Sequence, residues 1–450
     1  MSMGSEAIEQ ATMKKVMLRI VPFLIVCYII SYLDRVNVGF AALTMNADLG
    51  FSAAVYGFGA GVFFLTYFLF EVPSNLMLHR FGARRWIARI MLTWGILSGA
   101  MGFIPQISAA TGLSNENVFY TIRLLLGAAE AGFFPGVIYY LTLWFPGAYR
   151  GRVVGYFMTA LPLASVIGAP LSGWLLGLDG WHGLRGWQWM FIIEAIPAVL
   201  LAAVVLFYLT DRPNQAAWLS GPERQWLADR LAREERDRTA VARHSVLQTL
   251  INPIVLGLGF VYFGVVAMNY TVGFFLPSII REFGLTNLQT GFVAAIPSLV
   301  GAISMVVWGR RSDRKRERRW HLVFPVAVGA VSFAAAAVIQ DPVLKILCFS
   351  IAAFGIYGCQ PVFWALPGNF LSGASAAAGI AIINSLANLS GFTGPYVMGW
   401  VKTQTGSFTG GLLIVAATAG LATLVAAVVG RGPRRDDRDE APDAVRAPAE

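Results

Sequence analysis

The stretches Asn75–Leu–Met–Leu–His79–Arg80–Phe–Gly82–Ala–Arg84–Arg85 and Gly309–Arg–Arg–Ser–Asp313–Arg314–Lys–Arg–Glu–Arg–Arg319 are two variants of one basic loop. Each follows the second in a series of apolar runs about 20 residues long, the length at which an α-helix crosses the hydrocarbon core of a bilayer. A loop recurring at corresponding places marks a duplicated unit. Outward from the first loop, runs fall at 16–43, 54–79, 85–105, 118–145, 151–177 and 188–210. Outward from the second they fall at 253–281, 288–309, 320–340, 344–370, 376–401 and 409–431. The fold class expected is an all-α membrane protein of 12 transmembrane helices in two pseudo-symmetric six-helix bundles.

Composition agrees with lipid as the main solvent. The 450 residues are 56% hydrophobic and 13% charged, with mean hydropathy +0.62, whereas a soluble domain is about 45–50% apolar and about 25% charged. A net charge of +9 raises the question of a nucleic-acid partner, and the placement of the basic residues answers it. About 28 of the 34 Lys and Arg residues lie in the termini and in alternate loops, the bias that orients cytoplasmic segments. The expected location is therefore a cell membrane, the inner membrane in a Gram-negative bacterium, with both termini cytoplasmic. The connection near Asn369–Ser375 is an exception, cytoplasmic by its place yet free of Lys and Arg.

The division expected is a cytoplasmic N-terminus over 1–15, bundles over 16–210 and 253–431, a cytoplasmic linker over 211–252 and a disordered tail over 432–450. The linker is the one long charged interior stretch, and Trp226, Leu227 and Leu231 leave two readings open, a short helix on the membrane surface and an ordinary solvated connector. Cys27, Cys348 and Cys359 lie in apolar runs without metal-ligand spacing, and the four histidines are scattered. No H-E-x-x-H or G-x-S-x-G motif is present. Neither an enzyme nor a metal or other cofactor is expected.

Charge inside the spans is unevenly shared. Asp34, Arg35, Glu71, Arg123, Glu130 and Glu194 all lie in the first half, while the second half carries charge only near span ends. Intramembrane ionisable groups are expensive and mark pathways or partners. Asp34 and Arg35 in span 1 and Arg123 and Glu130 in span 4 fall between the outer mouth and the midplane, as the rise of ~1.5 Å per residue places them. Arg123 and Glu130, seven apart, share a helix face about 10 Å from one another, right for flanking a site. The second half offers neutral partners: Asn269, Tyr270, Gln360, Trp364, Asn384 and Asn388.

The two basic loops resemble the G-x-x-x-D-R-x-G-x-R-R loop of the major facilitator superfamily. Arg80, Gly82 and Arg84 match it in the first half, and Gly309, Asp313 and Arg314 in the second; His79 replaces the acid of the first copy. Within that superfamily the chain resembles the anion:cation symporter branch of bacterial organic-acid permeases. The resemblance rests on Asp34–Arg–Val–Asn–Val–Gly–Phe–Ala41, Phe70–Glu–Val–Pro–Ser–Asn75, Arg123–Leu–Leu–Leu–Gly–Ala–Ala–Glu–Ala–Gly–Phe–Phe–Pro135, Gly186–Trp–Gln–Trp189 and Gly391–Phe–Thr–Gly–Pro395. It implies proton coupling by Asp34 and Glu130 and carboxylate binding by Arg35 and Arg123, with Tyr32, Tyr67 and Asn384 lining the cavity.

The function expected is a secondary active transporter that imports a small organic carboxylate, of the tartrate, hexonate or aromatic-acid type, with protons by alternating access. It works as a monomer in the lipid bilayer. The alternatives are a Na⁺-coupled carrier or an exporter of an organic anion, and a non-transporting membrane sensor.

Overall fold

The computed structural model describes residues 3–241, 251–366 and 373–429. Span 1 is the helix Met3–Val36 continued by Val38–Leu49, so the N-terminal segment is helical from Met3 onward. Spans 2 to 6 are Ala53–Phe81, Ala83–Thr111, Asn115–Thr142, Gly147–Leu178 and Gly186–Tyr208. Spans 7 to 10 are Pro253–Arg281, Asn287–Lys315, Arg319–Val338 and Pro342–Ala365, and span 12 is Thr409–Val429. These are 11 helices long and apolar enough to cross a membrane. Span 11 completes the twelve as two shorter helices, Gly373–Asn388 and Ser390–Thr405, which break at Leu389. The basic-poor connection predicted near 369–375 falls largely, and the tail over 432–450 wholly, outside the described residues.

The pairing of helices repeats between halves. Span 2 packs along span 11 and span 5 along span 8, one pairing seen from each half if span n corresponds to span n+6, while span 1 meets span 7. Large apolar side chains such as Leu69, Val72, Phe207, Val307, Val331 and Leu424 are exposed around the outside. In water such a surface would drive association; in a bilayer it is the lipid-facing belt.

Helices of alternating direction give the molecule two ends, the face that carries the N-terminus and the far face. On the termini face the stretch between halves forms the helix Gly221–Val241, longer than a bare connector. Its Leu227 is fully buried. Lys15 Nζ donates to Glu223 Oε1 at 2.7 Å, and the Ser220 backbone N–H to Glu223 Oε2 at 2.8 Å. The Lys15 bond, with the Ser220 backbone donor, holds the Glu223 carboxyl below the usual carboxylate range. A lowered folded value means that the tie is present above the unfolded pKa of about 4.3 and is lost as pH falls through the folded one. Because Lys15 is half exposed, its worth is below about 1 kcal/mol. Hydrogen exchange across 221–241 should quicken in Glu223→Gln at neutral pH, and in the parent only in acid; equal protection in both at pH 7 would disprove the tie.

Candidate functional site

One turn of span 1 sends its side chains in three directions, because successive helical residues are about 100° apart. Ser31 and Arg35, four apart, share the face toward span 4. Ser31 Oγ donates to Glu130 Oε1 at 2.9 Å, and Arg35 Nη2 makes a short ion pair with the same oxygen. Tyr32 turns to span 7, where Asn269 Nδ2 donates to its hydroxyl at 2.8 Å. Asp34 turns to span 3, accepting from Trp94 Nε1 at 2.9 Å and Ser98 Oγ at 3.0 Å. Trp94 and Ser98 are themselves an i,i+4 pair, so one face of span 3 grips both carboxylate oxygens.

Glu130 stands where span 4 breaks. The helix from Asn115 ends at Glu130, Gly132 takes φ +86°, and a new helix begins at Phe133. Only glycine suits this corner, since a Cβ there would lie 2.4 Å from Ser74 Oγ as well as straining the backbone. Interrupted helices at membrane depth are tolerated where they line a site.

Arg35 is the hub. Besides Glu130 it donates from Nη1 to the Tyr270 hydroxyl at 3.2 Å, which joins the first half to the second. Its guanidinium lies over the rings of Tyr67 at 5.0 Å and Phe63 at 5.5 Å. Both members of the Arg35–Glu130 pair are buried, and the buried Arg35 Nε has no partner. The Arg123 guanidinium also lies over Phe63, at 5.0 Å. Its donors go to the backbone, Nε to Gly59 O at 3.1 Å and Nη2 to Ala60 O at 2.9 Å.

Of the four charged residues singled out in spans 1 and 4, the structure therefore brings Arg35 and Glu130 together. Asp34 and Arg123 are held by neutral partners. Asn384 donates from Nδ2 to Glu71 Oε1 at 3.0 Å, a further bridge between halves, and Glu71 Oε2 is left unpartnered. Trp364 sits in an aromatic cluster with Tyr262 and Phe363.

In the basic loops, the His79 ring packs on Tyr139 at 4.0 Å. The acid missing there has a counterpart in Asp211, just beyond span 6, whose Oδ1 accepts the Arg84 backbone N–H at 2.8 Å beside Gly82. Helix N-termini favour such carboxylates. In the second half Glu317 does the same for span 9, accepting from the backbone of Trp320 at 2.6 Å and His321 at 3.0 Å. Partial burial pushes its carboxyl up, but the His321 bonds and the backbone donors together hold it below the usual range. Asp313 pairs with Arg318 at 2.6 Å, while Gly309 lies against Pro361. Asp211 was the residue that sequence reasoning missed; its one signal is its place at the start of the linker.

Twelve spans in two like halves, with an ion pair buried at the seam and bonded across it, define a multi-pass membrane protein. The chain belongs to the Major Facilitator Superfamily, whose model matches residues 24–395 and 258–449. It is 50% identical over 424 residues to a protein of Agrobacterium vitis named "Putative tartrate transporter", covering 94% of this chain and 96% of that one. It is 42% identical over 405 residues to a "Quinolone resistance transporter" of Acinetobacter baumannii, covering 90% and 91%. Among solved structures it is similar to a D-xylose-proton symporter, with a TM-score of 0.73 at 17% identity, covering 92% of this chain and 99% of that one; the likeness is one of fold.

Proposed function

We propose that the protein imports a small organic carboxylate together with protons by alternating access. The observation that carries this reading is Arg35, bonded at once to Glu130 in its own half and to Tyr270 in the other. A carboxylate entering between the halves competes with Glu130 for the guanidinium, a charge-assisted contact of the strong class. Glu130 leaves the pair at least cost when it takes a proton. Substrate and proton then load together, and the neutralised site lets the halves rock. Asp34 is the second proton group of this reading, and Arg123 stiffens Phe63 behind Arg35 until an anion draws it away from Gly59 and Ala60. In this reading Tyr32, Tyr67, Trp364 and Asn384 line the path the substrate opens between the halves.

The similarity to the Agrobacterium vitis protein favours a hydroxy-dicarboxylate of the tartrate kind. The distribution of basic residues supports cytoplasmic termini in an inner membrane, and the bundle limits 16–210 and 253–431 go with that topology. Export is a second reading, favoured by the Acinetobacter baumannii relative. In reconstituted vesicles Glu130→Gln should abolish tartrate accumulation driven by a pH gradient and spare tartrate exchange. Undiminished accumulation would remove Glu130 from the coupling. Accumulation that follows an imposed Na⁺ gradient instead would replace the proton by Na⁺.

A further inference from the structure

Spans 1, 3, 5 and 6 enclose a second group of buried polar side chains that the Arg35–Glu130 centre does not use. Glu194 is the sole charged residue of span 6 and only 3% exposed. Its Oε1 accepts from Ser172 Oγ of span 5 at 2.7 Å, and its Oε2 is buried without a partner. Asn37, 2% exposed and beside Glu194, leaves both amide atoms without a hydrogen bond of normal geometry. Asn37 and Ser172 line a cavity of about 40 Å³ between spans 1, 5, 7 and 8, together with Ser165 and Ser298. That is room for two or three waters, each needing about 10–15 Å³ by the same measure. One turn back along span 1 from Asn37 is Asp34, which is also buried.

Two buried carboxyl groups thus lie near Asn37, Glu194 beside it and Asp34 one turn back along its helix, and among the described residues neither takes part in an ion pair. The groups that face them are neutral: Trp94 and Ser98 from span 3, Ser172 from span 5 and Asn37 from span 1. The basic residues of these helices lie elsewhere. Lys14, Lys15 and Arg19 of span 1, Arg84 and Arg85 of span 3 and Arg150 and Arg152 of span 5 are at the termini end, Arg89 of span 3 lies over Trp86 and donates to Ala129 O of span 4 at 3.4 Å, and Arg35 is bonded to Glu130. Two ionised carboxylates here would combine desolvation with like-charge repulsion, each worth several kcal/mol. A proton removes both costs. A metal ion suits the donors poorly, since the Asp34 oxygens already face an indole N–H and a hydroxyl donor.

We propose that Glu194 is a proton-binding group that loads from the far face through the water-sized cavity at Asn37 and Ser172 and exchanges its proton with Asp34. The proton leaves cavity water for Glu194 Oε2, the oxygen with no partner, and passes by way of the Asn37 neighbourhood to an Asp34 oxygen. No other reactant is consumed. The proposal extends the coupling reading by one group, and its proton-binding part stands apart from that reading.

The test is infrared difference spectroscopy of the purified protein during a pH titration, paired with vesicle transport of tartrate. A protonated-carboxyl C=O band should be present near neutral pH, vanish in Glu194→Gln, and move in frequency in Ser172→Ala, which keeps the acid and removes only its donor. Asp34→Asn should displace the pH at which that band titrates. A spectrum unchanged by both Glu194→Gln and Ser172→Ala overturns the proposal. In vesicles Glu194→Gln should lower proton-driven accumulation at least tenfold more than it lowers exchange; equal losses in both overturn the relay. A wild-type protein that shows the Glu194 band yet ignores a pH gradient refutes the coupling reading and leaves the proton site standing.

Discussion

Arg35→Gln should abolish tartrate uptake and destabilise the folded protein together, and its rescue should separate the two effects. Removing one partner of a buried ion pair leaves the other charge uncompensated, at about 3–5 kcal/mol. Glu130 then retains Ser31 and loses its cation. Total stability of a domain is only about 5–15 kcal/mol, so thermal unfolding should fall by several degrees. The double variant Arg35→Gln/Glu130→Gln removes both charges and should recover most of that loss, with uptake still at background because the anchor bonded to both halves is gone. Arg35→Lys keeps the charge without the planar fork that reaches Glu130 and Tyr270 at once. It should stay close to the parent in stability and lose more than tenfold in uptake. Uptake above a tenth of the parent level in Arg35→Gln would refute Arg35 as the anion anchor. A double variant no more stable than the single would show that the pair is not what stabilises this seam.

The architecture was legible in the sequence because the bilayer imposes length and hydrophobicity on each span, and those survive in one dimension. The concentration of charge in the first half was legible for the same reason. Partner choice was not. Asp34 and Arg35 are adjacent in the chain, yet the helical turn between them points one at Trp94 and Ser98 and the other at Glu130. Arg123 carries the charge expected of an anion ligand, but whether its donors meet a substrate or the carbonyls of Gly59 and Ala60 depends on how closely span 2 approaches, which no local pattern encodes. The break after Glu130 was written as Ala131–Gly132 with Pro135 close behind, a signal that apolar continuity masked. The split of span 11 at Leu389 has no glycine or proline at the break itself, although Gly391 and Pro395 follow it. Trp94–Ser98 and Ser31–Arg35 were readable as i,i+4 pairs only once it was known which helix each one faced.

The close backbone approaches between halves lie mostly on the far-face side of Arg35, and a single branched side chain added there should trap the transporter. At Gly57 of span 2, an added Cβ would stand 2.4 Å from Pro395 O and 3.0 Å from Gly399 Cα of span 11. One turn away the Ala54 backbone N–H donates to Thr403 Oγ1 at 2.9 Å, and Tyr56 Oη donates to Phe274 O of span 7 at 2.9 Å. Backbone cannot yield as a flexible side chain can, so Gly57→Leu forces spans 2 and 11 apart. Overpacking of this kind costs about 1–3 kcal/mol. Because the clash exists only where these two helices meet, the cost falls on the state sealed at the far face and shifts the balance of states about 5–150-fold toward the open one. Ser298, buried in the cavity behind the seal, gives a reporter. In a background with the partly exposed Cys348 changed to serine, an impermeant maleimide applied from the far face should label Ser298→Cys at least tenfold faster when Gly57→Leu is present. Tartrate uptake should fall by a similar factor, with Gly57→Ala between the two. The direction is the informative part. Slower labelling would place the contact in the opposite gate, and unchanged labelling with parent-like uptake would mean that spans 2 and 11 do not form the seal that alternates.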